Sequence, residues 1–165
     1  MRPDSPSHMA NRTALLVLAG LCTLAFGNAS ASDPQGSSSP QSLIETRQVT
    51  FKKMGAAMKA IVEQLKSDTP DNAKMQAAAQ VIGSGAEQVP AWFPAGSGPE
   101  AGIDTDALPY LWQERAKFDS IANRLIPETK TLATALSGKD AAAVRAQVKV
   151  VGEVCSSCHR SFRAD

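Results

Sequence analysis

The sequence predicts an all-α fold, an antiparallel four-helix bundle, and three observations carry that expectation. Apolar residues recur three and four positions apart in four separate segments, the mark of amphipathic helices. No segment alternates apolar and polar residues as a half-buried strand would. The connections are short apart from one long loop, so neighbouring helices are expected to run antiparallel.

Residues 1–31 read as an export signal rather than as part of that fold. Arg12 supplies positive charge, and Ala14 to Phe26 is an apolar run too short to span a bilayer comfortably. Ala29-Ser30-Ala31 then offers a small-x-small cleavage site before Ser32, and the leader from Met1 to His8 is compatible with a start at Met9. Cys22 lies in the apolar run, but Leu21 stands where a lipoprotein signal wants a small residue. Residues 32–42 are polar and rich in serine and proline, the composition of a disordered leader, which leaves 43–165 for the bundle.

Removing residues 1–31 takes Arg2, Arg12 and Asp4 from a chain with 17 basic and 16 acidic residues, so the remainder is neutral. A neutral chain with no basic cluster does not suggest a nucleic-acid partner. No second long apolar segment follows, so the mature chain is expected in the periplasm without membrane insertion. Its remaining cysteines are Cys155 and Cys158, and His159 is its only histidine.

The first helix is expected from Leu43 to Lys66, where Ile44, Gln48, Phe51, Met54, Met58, Ile61 and Leu65 form one stripe opposite Lys52, Lys53, Lys59 and Glu63. Thr69-Pro70-Asp71 ends it and starts the next, with Thr69 or Asp68 as N-cap and Pro70 in the first turn. The second helix runs from Asp71 to Gln88 on Met75, Ala78 or Ala79, Ile82 and Ala86. Its small side chains suit close packing within the bundle better than a dimer contact.

Val89 to Pro109 is the long irregular stretch, punctuated by Pro90, Pro94, Pro99, Gly96, Gly98 and Gly102. A loop of that length in a small domain usually serves a function or a crossover. Trp92 and Phe93 are expected to tuck against the bundle end. The third helix is predicted from Pro109 to Leu136 on Leu111, Trp112, Phe118, Ile121, Leu125, Leu132 and Leu136, with Pro127 kinking or splitting it. Ser137-Gly138 closes it. Asp140 caps a fourth helix carrying Val144, Val148, Val151, Cys155 and Phe162 on one side.

Cys155-Ser156-Ser157-Cys158-His159 has the Cys-x-x-Cys-His pattern of c-type haem attachment. In a helix, positions 155, 158 and 159 share a face, so two thiols and an imidazole can reach one flat group. A structural zinc site would need a fourth ligand that the mature chain lacks. A thioredoxin-like dithiol belongs near a βαβ unit, and an unprotected pair in an exported protein would tend to close into a disulfide. One covalently bound haem c accounts for both cysteines and the histidine together.

Further residues carry a family resemblance across nearly the whole mature chain. Thr46-Arg47-Gln48 opens the first helix, and the loop holds Val89-Pro90 and Phe93-Pro94. Thr105-x-Ala107-x-Pro109-x-x-Trp112 with Lys117-Phe118 follows, then Val151-Gly152 before Cys155 and Phe162-Arg163 after His159. In these the chain resembles cytochrome c′, the c-type cytochromes built as four-helix bundles with the haem on the last helix.

The resemblance implies His159 as the axial ligand of the haem iron and the first helix on the opposite, distal face. Phe51 then holds the position that points at the iron. Methionine there gives a six-coordinate iron, whereas phenylalanine has no lone pair and implies a five-coordinate, high-spin one. Met54 or Met58 as a sixth ligand is the rival within the same fold, giving a low-spin electron carrier. Arg47 and Gln48 are implied at the haem edge, with Arg47 pairing a propionate. Thr105 and Asp106 match a second haem-edge segment, where the acidic Asp106 would repel a propionate. Arg163 matches a basic residue near the proximal imidazole, although a charge favoured by the helix dipole explains it equally well.

The function implied is electron transfer with redox partner proteins, binding of small gases such as nitric oxide or carbon monoxide, or both. A peroxidase-like enzyme would want a polar distal acid–base residue, and no second histidine remains. The resemblance also leaves room for a homodimer through the first two helices.

Overall fold

The computed structural model describes residues 39–164. The expected export signal at 1–31 and most of the polar leader lie outside the described residues. Five helices follow one another: α1 (Pro40–Lys66), α2 (Asn72–Gln88), the short α3 (Tyr110–Gln113), α4 (Arg115–Ser137) and α5 (Ala141–Phe162). Two 3-10 turns, Val89–Trp92 and Pro99–Ala101, lie in the long loop. The four long helices form the bundle expected from the periodicity.

Helix starts follow local chemistry. α1 begins three residues before the predicted Leu43, because the Ser39 hydroxyl accepts from Ser42 N and Pro40 sits in the first turn. The cap of α2 is Asp71 rather than Thr69 or Asp68: its carboxylate accepts from Lys74 N, and Pro70 falls outside the helix. Asp140 caps α5 as predicted, accepting from Ala142 N and Ala143 N.

The third predicted helix is divided, but not at Pro127. The break is at Glu114, between α3 and α4, whereas α4 runs uninterrupted through Pro127. Pro127 and Asn123, whose carbonyl loses its donor to the proline, are both exposed, so water can satisfy that carbonyl.

Packing runs α1 on α2, α2 on α4 and α4 on α5, while α1 and α5 touch only sparingly. One core cluster fills the bundle with Met54, Ile61, Met75, Ile82, Leu125, Leu132, Leu136, Val151 and Val154. A second, aromatic cluster caps one end with Val89, Trp92, Phe93, Leu111, Phe118 and Phe162, so Trp92 and Phe93 are tucked in as expected. The small face of α2 is used inside the bundle. A side chain at Gly85 would overlap the Met54 thioether, so this glycine is what lets α1 approach.

Candidate haem site

α5 presents both thiols half-buried and His159 on a more exposed turn. Cys155 packs against the bundle core and Cys158 against the aromatic cluster. Burial pushes the Cys155 thiol up from its ordinary pKa, and burial together with the neighbouring Cys155 pushes Cys158 up to about 11. Burial and then the Arg163 charge lower the pKa of His159, which favours the neutral imidazole that a metal needs.

The end of α5 is strapped to the long loop. Leu108 N donates to Phe162 O at 2.9 Å and Ala164 N to Asp106 O at 2.8 Å, around an antiparallel bridge between Ala107 and Arg163. Asp106 and Arg163 are thus brought together through backbone, with both side chains exposed.

On α1, Phe51 is half-buried and packs against both clusters, the two that the thiols border. Its ring meets Trp92 edge-on, centroids 5.4 Å apart at 80°, and Phe93 at 6.3 Å. One turn earlier Arg47 is 2% exposed. Its Nη1 donates to Trp92 O at 3.3 Å and Ser97 Oγ at 3.2 Å, and its Nη2 to Thr105 Oγ1 at 2.8 Å. The guanidinium also lies 4.5 Å from the Phe93 ring centroid. Burial lowers the Arg47 pKa, and Glu100 opposes that. Gln48 Nε2 donates to Asp104 O at 3.0 Å. The structure therefore joins Arg47, Gln48 and Thr105 in one network between α1 and the loop.

Met54 belongs to the bundle core, and its thioether lies at the α1–α2 crossing beside Gly85. Met58 is half-buried against the same core.

The side chains suit a flat, largely apolar group carrying two thiol-reactive arms. Both thiols lie on one face of α5, and an apolar ring faces the same clusters from α1, across the loosest edge of the bundle. Among the described residues no three His, Cys, Asp or Glu side chains gather to hold a bare metal ion.

Two supporting residues, Arg115 and Ser97, escaped the sequence reading, and a third, Trp112, was read only as part of an apolar face and a family motif. Arg115 donates to Phe93 O at 2.6 Å and Pro90 O at 2.9 Å, and also pairs with Asp119 at 2.8 Å. Ser97, fully buried, donates to Pro94 O while accepting from Arg47. Trp112 Nε1 donates to the same Pro94 carbonyl at 2.9 Å. Of the three only Trp112 left a signal, as an aromatic in the third helix's apolar face; Arg115 lies inside a segment that reads as continuous helix, and Ser97 looks like a loop spacer between glycines.

Comparison with known proteins agrees with this arrangement. The sequence pattern of the family described as Cytochrome C′ matches residues 42–163. Cytochrome c′ from Rhodopseudomonas palustris is 36% identical over 153 residues, covering 91% of this chain and 95% of its own. The crystal structure of cytochrome c′ from Thermochromatium tepidum has a TM-score of 0.72 at 30% identity, covering 77% of this chain and 98% of its own. A further cytochrome c′ structure, described as having an unusual ligand-controlled dimer dissociation, has a TM-score of 0.71 at 30% identity with the same coverage. Since the match takes in all four long helices and the loop that ties α1 to α5, the chain belongs to the cytochrome c′ family, whose proteins carry one covalently bound haem c.

Proposed function

We propose that this chain is a periplasmic monohaem cytochrome whose iron is five-coordinate and high-spin, serving electron transfer, the binding of small gases such as nitric oxide, or both. Cys155 and Cys158 would hold the haem through thioethers, and His159 would supply the imidazole ligand of its iron. When bound, haem c supplies a one-electron couple and an iron that can accept a small ligand.

The observation that carries this reading is Phe51. It stands on α1 against the two clusters that the thiols border, and it has no atom able to donate to iron. Met54, the nearest thioether on the same stripe, is engaged beside Gly85 on α2, which supports leaving the sixth position free. The phenyl ring also offers no hydrogen bond, so a neutral diatomic such as nitric oxide or carbon monoxide suits this face better than dioxygen. The strap between 106–108 and 162–164 would steady the helix end that carries His159, whose pKa is lowered first by burial and then by the Arg163 charge.

The export signal read in the sequence of residues 1–31 supports the periplasmic assignment. The relative described with ligand-controlled dimer dissociation supports a haem ligand from solution, and a homodimer here as well. Titrating the reduced, haem-loaded protein with nitric oxide and carbon monoxide tests the reading. Saturable spectral changes with each gas are expected, and a spectrum unmoved by either gas would overturn the gas-binding role.

A further inference from the structure

We propose that the loop spanning residues 89–105 is a gate for ligand entry, in which Trp92 and Phe93 hold the Phe51 ring and Arg47 latches that bracket to α1. The proposal rests on the reading above, in which Phe51 covers the open side of the iron. It adds a set of residues, none of them iron ligands, that set how fast a gas arrives.

Phe51 is confined from two directions, edge-on by Trp92 at 5.4 Å and obliquely by Phe93 at 6.3 Å. Both bracketing rings are 5% exposed, so neither has solvent to move into. Phe93 is backed in turn by Phe118 at 4.9 Å and Trp112 at 6.1 Å, both in edge-on contact. A ring held in this way turns aside only when the bracket yields.

The bracket is tied down by a buried cation. Arg47 spans the loop from the Trp92 carbonyl through Ser97 to Thr105 and lies over Phe93. Arg47 and Phe51 are one turn apart on the same helix, so the latch ties the bracket to the helix that carries the gated ring. Loosening the loop requires a buried guanidinium to release three oxygen acceptors at once, which holds the closed state. Arg47 thereby acts as a positioning residue through Phe93 and Trp92. The geometry sets entry rate and ligand size rather than the strength of the iron–ligand bond.

The test is the bimolecular rate of carbon monoxide binding to the reduced, haem-loaded protein after flash photolysis. Trp92→Leu removes one wall and is expected to raise the rate by about tenfold, whereas Trp92→Phe keeps an edge-on ring and stays within about twofold of native. Thr105→Val deletes one latch acceptor without touching any ring and is expected to raise the rate roughly threefold. If Trp92→Leu does not accumulate with haem, Thr105→Val decides alone. Rates unchanged in both variants, with a native high-spin spectrum before gas is added, would overturn the gate but not the open iron. A native low-spin spectrum before gas is added would overturn the underlying reading and the gate with it.

Discussion

Arg47 and Thr105, 58 positions apart, are joined by a 2.8 Å hydrogen bond between a guanidinium that is almost wholly enclosed and a threonine hydroxyl. That bond closes the long loop onto α1, with Trp92 O and Ser97 Oγ completing the acceptor set. A buried cation held by neutral oxygens loses more when removed than its exposed counterpart would. Arg47→Leu should lower unfolding free energy by roughly 2–4 kcal/mol, and Thr105→Val by about 1 kcal/mol. Denaturant midpoints of the haem-loaded variants check both values; a loss no larger for Arg47→Leu than for an exposed lysine would contradict the latch.

Phe51→Met places a thioether where the proposed account puts a ring without donor atoms. The expected outcome is a shift of the reduced spectrum toward low-spin bands and weaker carbon monoxide binding, because the added sulfur competes for the iron. An unchanged high-spin spectrum in that variant would show that position 51 does not face the iron.

The α1–α2 crossing separates two neighbouring glycines. A methyl group at Gly85 meets the Met54 side chain, which is itself buried, whereas at Gly83 the nearest neighbour is Thr129 Oγ1 at an ordinary 3.9 Å. Gly83→Ala should therefore stabilise by about 0.5–1 kcal/mol through helix propensity. Gly85→Ala should cost about 1–3 kcal/mol through overpacking. Thermal melts of both variants should move in opposite directions; a shift of the same sign would contradict the close crossing.

Alkaline pH should weaken the chain before haem is attached. The Cys158 thiol is pushed up to about 11, so folding favours its protonated form. That contribution is fully present below the unfolded thiol pKa of about 8.5 and is lost as pH rises toward 11. In the haem-loaded protein the thiols are thioethers and cannot titrate. Urea unfolding at pH 8 and pH 10.5 should show a larger alkaline loss for the haem-free chain, on the order of 1–2 kcal/mol. Equal losses in the two forms would count against burial of Cys158.

Much of the bundle was legible because helix periodicity and caps are local. The stripes from Ile44 to Leu65 and from Val144 to Phe162 lie in helices, and Asp140 caps α5 as a short polar residue before an apolar run should. The spacing of Cys155, Cys158 and His159 carries its chemistry within a single turn. The break at Glu114 was not legible, because it accompanies bonds from Arg115 to the carbonyls of Phe93 and Pro90, more than twenty positions away. Pro127 does not split the helix as one of its two expected effects had it: its local cost is real, but its solvent-facing position lets water absorb it. The enclosure of Arg47 depends on how a Gly- and Pro-rich loop folds back, which residue types alone do not specify. The early start of α1 was readable in Ser39 and Pro40, yet the surrounding serine-rich composition hid it.

The most direct measurement of the central claim is the absorption spectrum of the reduced, haem-loaded native protein with no gas present. An iron bound only by His159, under a phenyl ring, should give the broad bands of a high-spin, five-coordinate centre. Sharp, split low-spin bands would mean that a second side chain completes the coordination, and would contradict the open distal face.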